Sequence, residues 1–338
     1  MMRKTAFIYL PILATMLTGC MVEVIDTSPK KEDIGLTAGP VPISLTTAVE
    51  VQQEGNDEGS KTGTRTTSTA LQSTQFAQGE QIYVYFPTDV TVGTTTSASY
   101  TTYTTDGSGH TTPTTQPYMN PNIQKATIHA YYPSSHTQNA TTFSVQTDQT
   151  GDANYKASDL MYATTSVTKT AAATVTGSLT FSHRMAKIIV TATADTGKGV
   201  SAVTKVRIIG GYRTATIATP LSCTMKTDDG FSNQLSTSSA ITLYDNSTGA
   251  ASVSCAGLIP PQTIASGTAF LEVTVKTAGG LAGTATYSLP AAKIFASGNA
   301  YTCTLSVNLS SIGTTTDITN WGNGGSTSLN NNGTPTLQ

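Results

Sequence analysis

The sequence predicts an all-β protein, and three features of its composition support this. Apolar residues occur in short runs in which they alternate with polar ones, as a half-buried strand requires. Only 11% of the residues are charged, against about 25% in typical soluble domains, and the polar surface is instead rich in threonine, serine, asparagine and glutamine. Twenty-nine glycines and fourteen prolines supply turns between strands. At 338 residues the chain is long enough for two domains.

The stretch Ser178–Thr193 marks the predicted boundary between the two domains. Its alternating residues fall first on odd and then on even positions: Leu179, Phe181, His183 and Met185, followed by Ala186, Ile188, Val190 and Ala192. A shift of one residue turns every side chain of a strand to the opposite face. We therefore predict two strands that meet near His183–Ala186, the first closing one domain and the second opening the other.

Residues 1–20 have the pattern of a lipoprotein export signal. Arg3 and Lys4 form a basic start, and Ala6–Leu17 is apolar but too short to span a bilayer permanently. Leu17-Thr18-Gly19-Cys20 resembles the lipobox of bacterial lipoproteins, in which the cysteine carries acyl chains such as palmitate. We therefore predict lipidation of Cys20 and, since no aspartate follows it, an outer-membrane or cell-surface location. An ordinary signal peptide with an incidental cysteine is the alternative.

The leading segment, residues 21–65, contains one predicted strand and one predicted cleavage site. Leu36–Val51 is interpreted as a strand, and its early prolines favour an edge or first strand. Its alternating apolar residues are Val41, Ile43, Leu45, Val49 and Val51. The polar, acidic and glycine-rich residues 52–64 lead to Arg65 and Thr66, and a basic residue in an exposed flexible segment suits proteolysis. A long surface loop without processing is the alternative.

The rest of the chain is predicted as short strands separated by turns, at spacings typical of a sandwich or barrel. In the first half the strands are Ile82–Phe86, Lys125–Tyr132, Phe143–Val145, Asp159–Ala163 and Leu179–Met185, and Thr88–Tyr118 is predicted as irregular loops with a short hairpin. In the second half they are Ala186–Ala194, Val203–Ile209, Ile241–Tyr244, Val253–Ile259, Ala269–Lys276, Ala285–Leu289 and Tyr301–Leu309. No amphipathic helix of substantial length is expected.

Signatures of catalysis or of cofactor and metal binding are absent from the sequence, and we expect no enzyme, a secreted hydrolase being the last-ranked class. His129 and His136 are interpreted as surface or loop residues, and His183 as a partly buried, hydrogen-bonded structural residue. Asp148…Asp152 and Asp228-Asp229-Gly230 are interpreted as turns rather than calcium loops. A net charge of −2 without a basic stripe excludes nucleic acid as an expected partner.

Tyrosines and cysteines leave two further alternatives open. A sugar-stacking face or, more often, part of a sandwich core could be formed by Tyr83, Tyr85, Tyr131 and Tyr132. A disulfide between Cys223 and Cys255 is compatible with the sequence but is not established by it. Cys303 is predicted to be a small buried apolar residue.

Motifs spread over nearly the whole chain after the lipobox carry a family resemblance. In order, they are Gly63-Thr64-Arg65, Gly79-Glu80-Gln81-Ile82-Tyr83-Val84-Tyr85, Asp159-Leu160-Met161-Tyr162-Ala163, Leu179-x-Phe181-x-His183-Arg184-Met185-Ala186-Lys187-Ile188, Gly298-Asn299-Ala300-Tyr301 and Ile318-Thr319-Asn320-Trp321. As an ordered set they resemble the fimbrillin (Mfa-like) family of pilus subunits from anaerobic Gram-negative bacteria of the gut and mouth.

The resemblance implies two transthyretin-like β-sandwich domains in tandem, residues 66–184 and 185–338, the first completed by the leading strand. It implies export as a lipoprotein, removal of the leading segment by a trypsin-like protease and donor-strand exchange with other fimbrial subunits. It also implies adhesion to a host or bacterial surface ligand, with glycans among the candidates. Either Tyr301–Trp321 contains the donor strand or the subunit does not donate, since the tail beyond holds only Leu329 and Leu337 as apolar side chains. A non-polymerising surface lipoprotein is the alternative: a pilus anchor, a tip accessory or a glycan-binding module.

Overall fold

The computed structural model describes residues 39–50, 75–95, 99–225, 240–308 and, for the backbone alone, 312–321. All of them belong to one compact unit, Leu36–Gln338. Their regular secondary structure is nearly all strand, which confirms the predicted all-β fold class. Within these ranges there is one α-helix, α1 (Asp152–Ala157), and no helix has the length and apolar character needed to cross a bilayer.

The first half of the described chain contains ten strands. They are β1 (Val41–Val49), β2 (Gln81–Phe86), β3 (Val90–Val92), β4 (Ser99–Thr105), β5 (Thr111–Pro113), β6 (Pro117–Met119), β7 (Lys125–Tyr132), β8 (Thr142–Ser144), β9 (Met161–Thr168) and β10 (Val175–His183). Nine of them form one sheet in the order β3-β6-β1-β10-β9-β7-β2-β4-β5. The two ends of this sheet come together: β3 is the first strand in the order and β4 is the last but one, and the Ser99 hydroxyl on β4 donates to the Val90 carbonyl on β3 at 3.2 Å.

The second half contains twelve strands and two short 3₁₀ turns, Thr196–Lys198 and Pro220–Ser222. The strands are β11 (Ala186–Ala194), β12 (Val200–Ile208), β13 (Thr214–Thr219), β14 (Thr224–Met225), β15 (Ile241–Ala250), β16 (Ser252–Ile259), β17 (Gln262–Ile264), β18 (Ala269–Thr277), β19 (Ala282–Ser288), β20 (Lys293–Phe295), β21 (Ala300–Val307) and β22 (Ile312–Trp321). They form two four-stranded sheets, β16-β11-β21-β22 and β15-β12-β18-β19, and two small sheets, β14-β13-β8 and β17-β20.

Two separate groups of buried apolar side chains form the cores. The first core is drawn from the nine-stranded sheet, and Phe76 and Tyr103 are among its largest members. The second core takes residues from both four-stranded sheets, such as Val190 and Val206, so these sheets face each other as a sandwich. The second core also includes Val145 from the first half, where β8 pairs with β13.

The change of phase in Ser178–Thr193 is a break between two strands, as predicted. β10 ends at His183 and β11 begins at Ala186. Buried side chains before the break belong to the first core and those after it to the second: Leu179 and Phe181, then Ile188 and Val190. The division of the chain into domains at residue 184 stays a prediction.

The short hairpin predicted within Thr88–Tyr118 is present as β4 and β5, but the prediction of irregular loops for the rest is wrong, because β3 and β6 also begin within this stretch. The buried positions of β4 are mostly hydroxylic, with Ser99, Thr101 and Thr105 beside Tyr103. Their hydroxyls are satisfied locally; that of Thr105, for example, donates to the Ala77 carbonyl at 2.6 Å. A strand can therefore have a buried face with little apolar character, and such a face leaves no hydropathy signal.

Candidate functional site

The strand β1 is the first strand of the described residues, as one of the two predicted alternatives has it, but it lies inside the nine-stranded sheet and is not an edge strand. It stands between β10 and β6. Its pairing with β10 is parallel and runs without a break from Ile43–Val175 to Val49–Phe181. Its pairing with β6 is antiparallel and covers only Val41 and Pro42. One edge of β1 is therefore fully paired with a strand, and the other is paired with a strand only at its start.

Alternate side chains of β1 are buried in the first core. Those predicted to alternate and described here are at most 3% exposed: Val41, Ile43, Leu45 and Val49. The Thr47 side chain is also buried, whereas Ser44 and Thr46 between them are exposed. Burying an aliphatic side chain of this size contributes about 1.5–3 kcal/mol relative to leaving it in water. Burial of these apolar side chains therefore contributes most of the free energy that keeps β1 bound to the sheet.

Side chains and one backbone carbonyl replace a partner strand along the second edge of β1. The three hydrogen bonds are from Thr111 Oγ1 to the Leu45 carbonyl (2.6 Å), from Gln116 Nε2 to the Ile43 carbonyl (2.9 Å) and from the Thr47 N–H to the Gly109 carbonyl (2.7 Å). They bind main-chain atoms at every second residue of β1. This edge therefore recognises the backbone of an extended strand and not the identity of its side chains.

The strand β11 occupies the corresponding position in the second half. It pairs in parallel with β21 and antiparallel with β16, just as β1 pairs in parallel with β10 and antiparallel with β6. The two strands differ at the antiparallel edge, since β11 pairs with β16 from Ala186 to Thr193. Removing β1 therefore breaks one long ladder and a pairing of two residues, whereas removing β11 would break long ladders on both sides.

Two glycines allow neighbouring backbone segments of the same chain to approach β1 closely. A Cβ at Gly177 on β10 would lie 2.7 Å from Val167 Cγ1 and 3.0 Å from Leu45 Cδ2. A Cβ at Gly109 would lie 3.1 Å from the Thr47 carbonyl oxygen, and Gly109 has a φ of +98°, which favours glycine. We call the groove that holds β1 the seat of β1; it is formed by β10, β6 and the residues Gly109, Thr111 and Gln116. Glycines as well as apolar residues therefore determine its shape.

A buried lysine fixes the beginning of β1. Lys169 is 3% exposed, and its Nζ donates to the carbonyls of Gly39 at 3.1 Å and Pro121 at 2.8 Å. The ammonium thus joins the start of β1 to the loop after β6. Sequence reasoning missed this residue, because a single lysine in a loop carries no pattern that distinguishes it from a solvent-exposed one.

His136 lies in the loop between β7 and β8, as one of the predicted alternatives has it, but it is buried and not at the surface. Its ring is buried against Tyr131 and Phe143, and its Nε2 lies 3.4 Å from Cys223 Sγ. Burial lowers the pKa of His136 to about 4, because the charged imidazolium loses its hydration there.

The other two histidines considered above are structural. His183 behaves as predicted: it is partly buried and its Nδ1 lies 2.7 Å from Asp159 Oδ1. His129 is half-buried on β7 and not at the surface, and its Nδ1 lies 2.8 Å from the Tyr162 hydroxyl. The described ranges contain no cluster of three or more histidine, cysteine or acidic side chains that could hold an ion.

The structure gives the surroundings of those tyrosines, cysteines and aspartates that lie within its described residues. Three of the four tyrosines are buried in a core and the fourth is half-buried: Tyr83, Tyr131, Tyr132 and Tyr85. Cys223 and Cys255 are free, so they do not form a disulfide, and Cys303 is buried as predicted. Asp148 caps a turn, with Oδ1 accepting from the Thr150 N–H at 2.9 Å.

Several predicted positions lie outside the described residues. They are Cys20, Val51, Arg65, Thr66 and Asp228-Asp229-Gly230. Lipidation and proteolytic processing therefore stay predictions. The strand β22, within the region expected to hold a donor strand, is described by its backbone and pairs antiparallel with β21 at the edge of its sheet.

Comparison of the fold with solved structures finds 27 matching chains. A candidate cell adhesion protein from Bacteroides uniformis is 19% identical, with a TM-score of 0.52 over 82% of this chain and 95% of its own. A second, from Bacteroides ovatus, is 15% identical, with a TM-score of 0.55 over 83% and 98%. A third, from Bacteroides fragilis, is 13% identical, with a TM-score of 0.51 over 85% and 99%. At these identities the likeness is one of fold.

The sequence itself matches the Fimbrillin-like family over residues 64–321. No curated protein matches the chain. The matched region includes β2 to β22 and begins after β1, although β1 pairs with β10 inside it. The chain therefore belongs to the fimbrillin-like family and is a pilus-related protein of the cell surface.

Proposed function

We propose that the protein is a structural, non-catalytic subunit of a fimbria that assembles by strand exchange at the seat of β1 and serves adhesion. The observation that supports this most is the way β1 is held. It occupies the position that β11 has in the second half, yet it lies outside the family match and has a long strand ladder on one edge only, since its pairing with β6 covers two residues. The proposal includes two tandem transthyretin-like sandwich domains, residues 66–184 and 185–338.

Processing at Arg65 is the step that would release β1. Arg65 lies between β1, which ends at Val49, and β2, which begins at Gln81. A cut after Arg65 therefore removes the covalent link between β1 and the rest of its sheet. β1 is then held only by its buried side chains and its hydrogen bonds, and a trypsin-like protease is the partner that this step requires.

Loss of β1 would create an acceptor groove along β10. The backbone from Val175 to Phe181 would lose its parallel partner, and the apolar row of the first core would be exposed. An unpaired edge above an apolar groove binds extended strands readily. A strand of another fimbrial subunit with an apolar residue at every second position would restore both the ladder and the core. The candidate donor segment of this chain is 301–321.

Export would precede this assembly. We propose that residues 1–20 direct the chain across the inner membrane and that acyl chains on Cys20 hold the precursor at the outer membrane until Arg65 is cut. The cut would then separate the lipid from the assembling subunit.

Mass spectrometry of the protein recovered from the cell surface tests the proposal. The wild-type chain should begin at Thr66 and should form ladders that resist mild denaturant. Arg65→Ala should keep the lipidated N-terminus at Cys20 and stay monomeric, and Lys61→Ala, a second basic residue of the same stretch, should behave as wild type. Mature material that begins before Thr66, or ladders formed by Arg65→Ala, would refute the proposal.

A pilus anchor that keeps β1 is the second candidate. The buried Lys169 favours it, because a charged side chain that fixes the start of β1 suits a strand that stays in place. In the same experiment an anchor would retain its lipid at Cys20 and would be found at the base of ladders made by other subunits.

A further inference from the structure

A row of four tyrosines crosses one face of the nine-stranded sheet. They lie on the neighbouring strands β9, β7, β2 and β4: Tyr162, Tyr131, Tyr83 and Tyr100. Successive ring centroids are 5.7, 5.9 and 4.9 Å apart. The first three rings are buried, whereas Tyr100 is 60% exposed. The row therefore begins in the protein interior and ends in solvent at Tyr100.

The exposed end of the row borders an open cleft of about 470 Å³. Tyr100 and Tyr83 are stacked with 24° between their ring planes, so Tyr83 covers one face of the Tyr100 ring and leaves the other face accessible. Thr102 continues this side of the cleft along β4. The volume falls within the range of about 300–1,000 Å³ that small-molecule sites occupy.

The opposite side of the cleft is a polar loop that follows β7. It contributes Ser134, Thr137, Gln138 and Asn139, and Gln138 is fixed in place because its Oε1 accepts a hydrogen bond from the Tyr83 hydroxyl at 2.7 Å. This bond orients the Gln138 amide so that its two N–H groups point away from the tyrosine. Burial raises the pKa of Tyr83 to about 12, so its hydroxyl keeps its proton at neutral pH.

We propose that this cleft binds a neutral carbohydrate, with one sugar ring stacked on Tyr100 and its hydroxyls bonded to Gln138 and Asn139. The apolar C–H face of a pyranose suits an aromatic ring, and side-chain amides and hydroxyls can both donate to and accept from sugar hydroxyls. The lining residues carry no charge. None of the lining residues is among those that contact β1 as described above, and the inference does not depend on strand exchange.

Two other classes of ligand fit less well. An apolar peptide segment would bury the amides and hydroxyls of the loop without partners, which is unfavourable. An acidic glycan would bring a carboxylate or sulfate to a cleft with no lysine or arginine among its lining residues. A neutral hexose or N-acetylhexosamine satisfies both the ring and the loop.

The test measures binding of the purified full-length chain to immobilised oligosaccharides. The panel contains cellobiose, maltose, lactose, N-acetyllactosamine and N,N′-diacetylchitobiose as neutral probes, and sialyllactose and a sulfated disaccharide as acidic ones. The wild type should bind at least one neutral probe. Tyr100→Ala should weaken this binding about tenfold or more, because it removes the stacking ring, and Tyr100→Phe should keep it within about twofold because the ring remains.

Tyr118→Ala is the matched control, because Tyr118 is also an exposed tyrosine of the same sheet but lies on β6, away from the cleft. It should bind as the wild type does. The proposal is overturned if no neutral probe binds, if only acidic probes bind, or if Tyr100→Ala and Tyr118→Ala reduce binding equally. Equal melting temperatures of the variants show that a loss of binding is not a loss of folding.

Discussion

Replacing Leu45 by alanine should loosen β1 without unfolding the second half. Leu45 is 1% exposed and lies against the glycine at position 177 on β10. Truncating a fully buried leucine to alanine lowers the free energy of unfolding by about 2–5 kcal/mol, since apolar burial is lost and a cavity remains. Hydrogen exchange followed by mass spectrometry measures this locally. The smaller figure corresponds to about 30-fold faster exchange of the amides of β1 and β10.

Ser44→Ala is the matched control for this change. Ser44 is the neighbouring residue on β1 and is exposed, so its truncation should change the free energy of unfolding by no more than about 0.5 kcal/mol. Exchange in β11 should be the same in both variants. Equal exchange of the β1 amides in Leu45→Ala and Ser44→Ala would refute the reasoning, because β1 would then not depend on its buried row.

Three more substitutions test the seat of β1 and the buried histidine. Gly177→Val should lower the free energy of unfolding by about 1–3 kcal/mol, since its Cβ would meet Val167 and Leu45 side chains; urea denaturation measures this. Lys169→Met should lower it by a similar amount and speed exchange at the start of β1, because two carbonyls lose their donor. His136→Gln should reduce the loss of stability between pH 6.5 and 4. In the wild type the unfolded state binds a proton in this range that the folded state excludes, so the free energy of unfolding decreases by up to about 3 kcal/mol as the pH is lowered from 6.5 to 4.

Each of these substitutions has a control in the same chain. Gly279→Val places a side chain where a Cβ has no neighbour closer than 3.8 Å and should have a much smaller effect than Gly177→Val. Lys125→Met removes an exposed lysine and should leave β1 unchanged. His110→Gln changes an exposed histidine and should keep the wild-type pH profile. A variant that behaves like its control would contradict the role assigned to that residue.

The strand framework was largely predictable because its signal is local. β7 and β11 were predicted with the bounds that the structure has, since apolar and polar residues alternate along both. The break between His183 and Ala186 was predictable for the same reason. β4 was not, because its buried face is built of threonine and serine whose hydroxyls are bonded within the fold.

The position of each strand and the burial of single polar residues depend on contacts distant in sequence. The prolines near the start of β1 suggested an edge strand, but Pro42 falls within the short pairing with β6 and leaves the pairing with β10 intact. His136 looked like a loop residue, and only the approach of Phe143 and Cys223 buries it. The apolar row of β1 was predictable from the sequence, whereas the side chains that hold its second edge were not.

The parallel pairing of β1 with β10 also sets the order in which the chain can fold. The Thr46 hydroxyl donates to the Gly177 carbonyl across this pair, and these two residues are 131 positions apart, so the contacts of β1 with β10 are distant in sequence. During synthesis β1 is made early, and β10, the strand with which it forms its long ladder, is made only after nearly all of the first half. The ladder between β1 and β10 therefore cannot form until residues 175–181 have been made.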